Sequence, residues 1–194
     1  MEPNSFAIAG VLVGWAIVAV AMLVGRSSSH GTQVRYRNVA GLVGLALQAS
    51  GFGLAFGWER SRLDSSTSGW VVATASVVLA AGSSAFVLAA VRTLGNQWSL
   101  LPRLIEVHTL IEDGPYAVVR HPIYSAMLGM LLSTGLAFGP SPAVVVAVAL
   151  YTVGTTLRIR MEEQLLNQIF GQRYVSYSRR VPALLPFRLG RKAA

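Results

Sequence analysis

The chain has 194 residues, room for one ordinary domain or one compact helical bundle. Hydrophobic residues make up 53% and charged residues 12%, half the ~25% usual in soluble domains, which excludes both a charge-coated globule and a disordered chain. Sixteen Lys and Arg against eight Asp and Glu leave +8; with no cysteine, disulfides, thiolate metal sites and a cysteine nucleophile are excluded, and three scattered histidines predict no metal site.

Ser5 to Val24 run without a charge, twenty residues that at ~1.5 Å each cover about 30 Å, the thickness of a hydrocarbon core. Only Glu2 carries a charge before this run, so the basic segment of a signal peptide is missing and a mature membrane helix is predicted. Val39 to Gly57 and Trp70 to Val91 repeat the pattern, with Trp58 and Trp70 where interfacial aromatics belong. Ile123 to Phe138 and Ala143 to Leu157 are shorter, and the helix-breaking turn Gly139-Pro140-Ser141-Pro142 between them predicts a helical hairpin. The expected fold class is all-α, an integral membrane bundle of five transmembrane helices. Three occupy residues 1–91 (about 5–24, 39–57 and 70–91), followed by a loop over 92–122, the hairpin 123–157 and a C-terminal segment 158–194.

Fourteen basic residues lie on the side of the chain facing residues 25–38, 92–122 and 158–194, and only Arg60 and Arg62 on the other. The positive-inside rule then predicts an outside N-terminus and a cytoplasmic C-terminus. The charge reads as topology and contact with membrane lipids; no nucleic acid is expected. Fifteen arginines to one lysine point to a GC-rich genome and a prokaryotic plasma membrane. The predicted membrane segments hold almost no ionisable residue, which disfavours transport. Gly10-x-x-x-Gly14 and Gly53-x-x-x-Gly57 permit close helix contact, inside the bundle or between copies.

Polar residues concentrate in 92–124 and 158–187. In the first, Gly114-Pro115 is a turn and Pro122 suits the first position of a helix, whose free N–H groups favour an anionic group. In the second, no breaker precedes Gly171, so the last membrane helix is predicted to continue into the cytosol with Gly171 as its C-cap. Arg158 and Glu162 share a face, while Met161, Leu165 and Ile169 form an apolar stripe. These residues also suit blander roles. Glu162 and Glu163 beside Arg158 and Arg160 make a solvated charge ladder, Arg120 and Arg158 make snorkelling anchors, and His121 makes a helix-start residue.

Gly114-Pro115-Tyr116, Arg120-His121-Pro122-Ile123-Tyr124, Glu162-Glu163, Phe170-Gly171, Tyr174, Tyr177 and Arg180-Val181-Pro182, in that order, resemble the isoprenylcysteine carboxyl methyltransferase family. That family sits within a wider group of membrane methyltransferases that includes phospholipid N-methyltransferases. The resemblance covers about residues 92–187 and makes 92–194 the catalytic region, with S-adenosylmethionine as cofactor in a cytoplasmic pocket. It implies cofactor contacts for His108, Thr109, Leu110, Ile111, Tyr116, His121, Pro122, Ile123, Tyr124 and Glu162, with Glu163 a second acid. It also implies that Arg158 stands by the substrate carboxylate as the catalytic residue. The implied substrate is an isoprenylated cysteine or similar lipophilic acid entering from the bilayer. An ionised carboxylate needs no general base before attacking a methyl sulfonium, so positioning is the main requirement. The rival readings are an amine-lipid N-methyltransferase of the same group, a sterol-reductase-like oxidoreductase with a similar Arg-His-Pro-Tyr pattern, and a non-enzymatic lipid-binding protein.

Overall fold

The computed structural model describes residues 2–24, 34–35, 39–57, 63–95, 103–104, 109–138 and 142–187. The turn at 139–141, Trp58 and His108 lie outside these residues. Seven helices are described: α1 (Pro3–Val24), α2 (Val39–Gly57), α3 (Thr67–Leu94), α4 (Pro115–Val118), α5 (Pro122–Ala137), α6 (Pro142–Phe170) and α7 (Gln172–Arg180). The chain is an all-α bundle, with one addition that the sequence did not suggest. The two-residue strands β1 (Val34–Arg35) and β2 (Arg103–Leu104) pair antiparallel and tie the α1–α2 connection to the segment after α3.

α1, α2, α3 and α6 are long and apolar enough to cross a membrane. α5 is equally apolar but has 16 residues, which reach only about 24 Å at 1.5 Å per residue. Large apolar side chains such as Val71, Val78 and Val145 point outward, and small ones pack inward. That is the pattern expected where lipid surrounds the bundle and close packing joins the helices.

Ala7, Val11, Gly14, Val18 and Ala21 form one buried stripe of α1, facing Ala73, Ala80, Ser84 and Val87 of α3 and Met130 of α5. Buried hydroxyls are satisfied by backbone carbonyls: Ser84 donates to Ala80 O on its own helix at 2.7 Å, and Ser76 donates across to Ser133 O of α5 at 2.9 Å. Gly10 and Gly14 serve this contact, since a Cβ on Gly10 would stand 2.5 Å from Val77 Cγ2. Gly53 and Gly57 meet nothing within 4 Å and face outward.

A second seam joins α2 to α6 and fixes the functional site. A Cβ on Gly44 would lie 2.7 Å from Gly154 O and 2.8 Å from Arg158 Cγ; one on Gly154 would lie 2.5 Å from Gly44 O. Gly51 backs onto Ala147 O in the same way. Between the glycines, Gln48 Nε2 donates to Thr155 Oγ1 at 2.8 Å, a hydrogen bond that joins the two helices.

Candidate functional site

α6 runs unbroken from Pro142 to Phe170 because its sequence holds no breaker, and Gly171 ends it with a φ of 51° while its N–H bonds Asn167 O at 2.9 Å. The charged half of this helix meets the start of α5. Pro122 occupies the first helical position of α5 and His121 its N-cap, as the fixed φ of proline favours. Just before it, Gly114 takes a φ of 56° at the head of the single turn α4, which turns Tyr116 inward to near-complete burial.

These elements assemble a continuous polar chain. Arg158 Nε donates to Tyr124 Oη at 2.8 Å, and that hydroxyl donates to Glu162 Oε1. Arg158 Nη2 also stands 3.7 Å from Glu162 Oε1, the i,i+4 pair expected from the spacing. His121 then bridges the two acids, with Nδ1 3.5 Å from Glu162 Oε2 and Nε2 3.2 Å from Glu163 Oε1. Carboxylates only accept, so both ring nitrogens have acceptors before them and the arrangement suits an imidazolium. Burial opposes the charge of His121, but hydrogen bonds to Glu162 and Glu163 and their negative charges outweigh it and raise its pKa above the usual value. Burial first, then the charges of Tyr177 and Glu162, push the Tyr116 phenol far above its ordinary range, so it stays neutral. At the far end, Arg120 Nη2 meets Glu163 Oε1 at 2.6 Å.

The C-terminal segment, α7 and residues 181–187, folds over this cluster as a strap. Tyr177 donates to Tyr116 O at 2.6 Å, and Arg120 N and His121 N donate to Pro182 O and Ala183 O at 2.8 and 3.0 Å. Glu112 of the preceding loop pairs with Arg173 at 3.3 Å and with Arg180 at 2.8 Å, both on α7.

Beneath the strap lies a cavity of about 470 Å³, inside the ~300–1,000 Å³ range of small-molecule sites. Tyr151, Arg158, Glu162, Leu166 and Phe170 follow it along α6, a distance of about 28 Å at 1.5 Å per residue. Leu45, Ala49 and Phe52 of α2, Met22 of α1 and Met127 of α5 form its apolar wall, interrupted by Gln48 of α2. Of the residues predicted from sequence, Thr109, Leu110, Ile111, Tyr116, His121, Pro122, Ile123, Tyr124, Arg158 and Glu162 line the cavity together. Glu163 does not line it; its carboxylate is engaged by Arg120 and His121. Arg120 is no snorkelling anchor either, since its guanidinium turns inward to Glu163 and to the carbonyls of Ser178 and Val181.

Sequence reasoning passed over Gln48, Phe52, Met22, Leu94 and Tyr151 as parts of bland helices, although all line the cavity. The one amide side chain in α2, where Ser50 is the other polar residue, was the available signal for Gln48.

A half-open cavity with a largely buried ionic cluster at one end and apolar helix faces at the other is the site that this membrane-type helical bundle presents. The model of the family described as Phospholipid methyltransferase matches residues 71–173, more than half of the chain, and the protein belongs to that family. Among curated relatives, Protein-S-isoprenylcysteine O-methyltransferase B of Arabidopsis thaliana is 36% identical over 101 residues, 50% of this chain and 51% of that protein. Protein-S-isoprenylcysteine O-methyltransferase of Mus musculus is 38% identical over 90 residues, 45% of this chain and 31% of that protein. The Oryza sativa subsp. indica protein named Probable protein-S-isoprenylcysteine O-methyltransferase is 31% identical over 121 residues, 61% of this chain and 63% of that protein. The chain thus spans about half the length of the first of these relatives. These names agree with the resemblance carried by the Arg120-to-Tyr124 and Glu162-Glu163 segments.

Proposed function

We propose that the protein is an S-adenosylmethionine-dependent carboxyl O-methyltransferase acting on an isoprenylated cysteine or a similar lipophilic acid. The observation that carries this reading is the single cavity that connects the Arg158–Tyr124–Glu162 cluster to the apolar wall formed by Phe52 and Met127. A water-soluble cationic donor and a lipid acid can then meet in one cavity, the donor arriving from the strap side and the acid from the bilayer. The basic-residue bias supports a cytoplasmic polar end, and the excess of arginine over lysine supports a prokaryotic plasma membrane.

The donor set suits the cofactor, because Glu162 offers a carboxylate to a cation and the Thr109–Ile111 segment, Leu166 and Phe170 offer apolar and backbone surface to a heterocycle. S-adenosylmethionine supplies an electrophilic methyl on sulfur, whose departure leaves a neutral thioether. The residues of this chain do the positioning. Arg158 orients the substrate carboxylate through its planar guanidinium. Its positive charge is already shared with Glu162 and Tyr124, so the incoming carboxylate meets a partly neutralised partner and keeps its nucleophilic density. A carboxylate oxygen forms the new bond to the methyl carbon with no proton moved, consistent with a cluster in which both nitrogens of His121 already face carboxylates. Closure by the strap strips water from a weak nucleophile.

The family description favours a second reading, a lipid amine as acceptor. An amine arrives protonated at neutral pH and needs a proton acceptor that the ionised acid does not. Labelled methyl transfer from S-adenosylmethionine to N-acetyl-S-farnesylcysteine, followed by base treatment, separates the two. An ester releases the label as volatile methanol, and an N-methyl group retains it. Transfer to a lipid amine in base-stable form, with none to the acid, contradicts the carboxylate reading.

A further inference from the structure

Gln48 is a polar side chain of the cavity that the proposed chemistry leaves unused. It is 7% exposed, lines the cavity, and uses Nε2 to bond Thr155 Oγ1 at 2.8 Å. That bond fixes the plane of the amide, and among the described residues it is the only hydrogen bond of this side chain. The amide oxygen is therefore left as an acceptor in the apolar half of the cavity. An amide inside a membrane bundle is costly unless a partner compensates it.

Its position defines which part of a ligand it meets. Thr155 precedes Arg158 by three residues on α6, about 4.5 Å along the axis. On α2, Gly44 abuts Arg158, and Gln48 sits one turn further toward Phe52. An acid held at Arg158 with its chain running toward Phe52 and Met127 passes Gln48 with the first atoms beyond its carboxylate. We infer that Gln48 is a specificity-determining residue whose amide oxygen accepts a hydrogen bond from an N–H next to the carboxylate. The site then selects α-amido acids, as at the C-terminus of a peptide, over simple lipid acids. This inference rests on the carboxyl methyltransferase reading above.

The test compares two acceptors that differ in that group, N-acetyl-S-farnesylcysteine and S-farnesyl-3-mercaptopropionic acid, with the 194-residue protein in detergent and S-adenosylmethionine as donor. The wild type is expected to favour the amide-bearing acceptor by roughly tenfold in kcat/KM, since a site built for a donor discriminates against the ligand that lacks it. Gln48→Met, similar in volume, brings the ratio close to one. Thr155→Val leaves the glutamine in place but unanchored and lowers the ratio several-fold, so it decides the matter where Gln48→Met does not fold. A purely structural role slows both acceptors in parallel; an unchanged ratio in the variants overturns the inference, as does a wild type without preference. A wild type that methylates neither acid overturns the carboxylate reading itself, and the inference with it.

Discussion

Arg120 Nε and Nη2 both donate to the same oxygen of Glu163, at 2.9 and 2.6 Å, although the two residues lie 43 positions apart. Nη1 of the same guanidinium donates to the carbonyls of Ser178, at 2.9 Å, and Val181. One side chain therefore joins α6, the start of α5 and the C-terminal strap. Arg120→Ala leaves two carbonyls without this donor and a largely buried carboxylate with His121 as its remaining partner, and the expected loss is about 2–3 kcal/mol after allowing for partial exposure. That corresponds to a fall in Tm of roughly 4–12 °C for a chain of this size. Arg120→Lys keeps the charge without the fork and should fall between. Thermal unfolding in detergent measures both, and an unchanged Tm for Arg120→Ala contradicts the clamp.

The neighbouring acids should separate in function. Glu162 lines the cavity and Glu163 does not, although they are adjacent in sequence. Glu162→Gln is expected to weaken S-adenosylmethionine binding by about 10-fold or more, the scale of one hydrogen bond to a charged group. Glu163→Gln should lower Tm while changing affinity much less. Calorimetric affinities beside unfolding curves check this, and equal affinity losses in the two variants contradict it.

His121 gives a pH signature. Its pKa is raised in the folded state, so its charged contacts with Glu162 and Glu163 contribute stability that is complete below the unfolded value near 6.5. That contribution is lost as pH rises through the elevated folded value. The difference in Tm between wild type and His121→Gln should therefore shrink as pH increases above neutrality. A constant difference from pH 6 to 9 contradicts an imidazolium between the acids.

The glycine seam makes a contrasting pair of predictions. Gly154→Ala places a methyl 2.5 Å from the Gly44 carbonyl, and Gly44→Ala one 2.7 Å from the Gly154 carbonyl; backbone on both sides leaves little room to yield. Each is expected to cost roughly 1–3 kcal/mol and to disturb turnover by shifting Arg158 and Gln48. Gly53→Ala and Gly57→Ala meet open space and should leave Tm and turnover close to wild type. Unfolding curves and methyl-transfer rates on the four variants test the register of α2 against α6.

What the sequence disclosed follows from how local each signal is. Uncharged runs of membrane length mark α1, α2 and α3, and the absence of a breaker before Gly171 marks the long α6. Tyr116, His121, Tyr124, Arg158 and Glu162 stood out because they cluster in two polar segments with a recognisable order. Gln48 did not, because its partner Thr155 lies 107 residues away and nothing near either residue marks the pairing. Arg120 suited a snorkelling role until Glu163 was found opposite it. Of the two Gly-x-x-x-Gly patterns, only the first packs, while the contacts that hold Arg158 use Gly44 and Gly154, which no short motif singles out. The pairing of β1 with β2 is likewise a non-local contact between two-residue segments too short to show a period.

The central claim is that the cavity between the 109–124 and 158–177 segments receives a sulfonium methyl donor. Isothermal titration of S-adenosylmethionine into the detergent-solubilised wild-type protein, with NADPH titrated in parallel, tests it most directly. Saturable one-to-one binding of S-adenosylmethionine, weakened in Glu162→Gln, with no binding of NADPH, is the predicted result. Binding of NADPH alone, or no binding of S-adenosylmethionine to folded protein, contradicts the account.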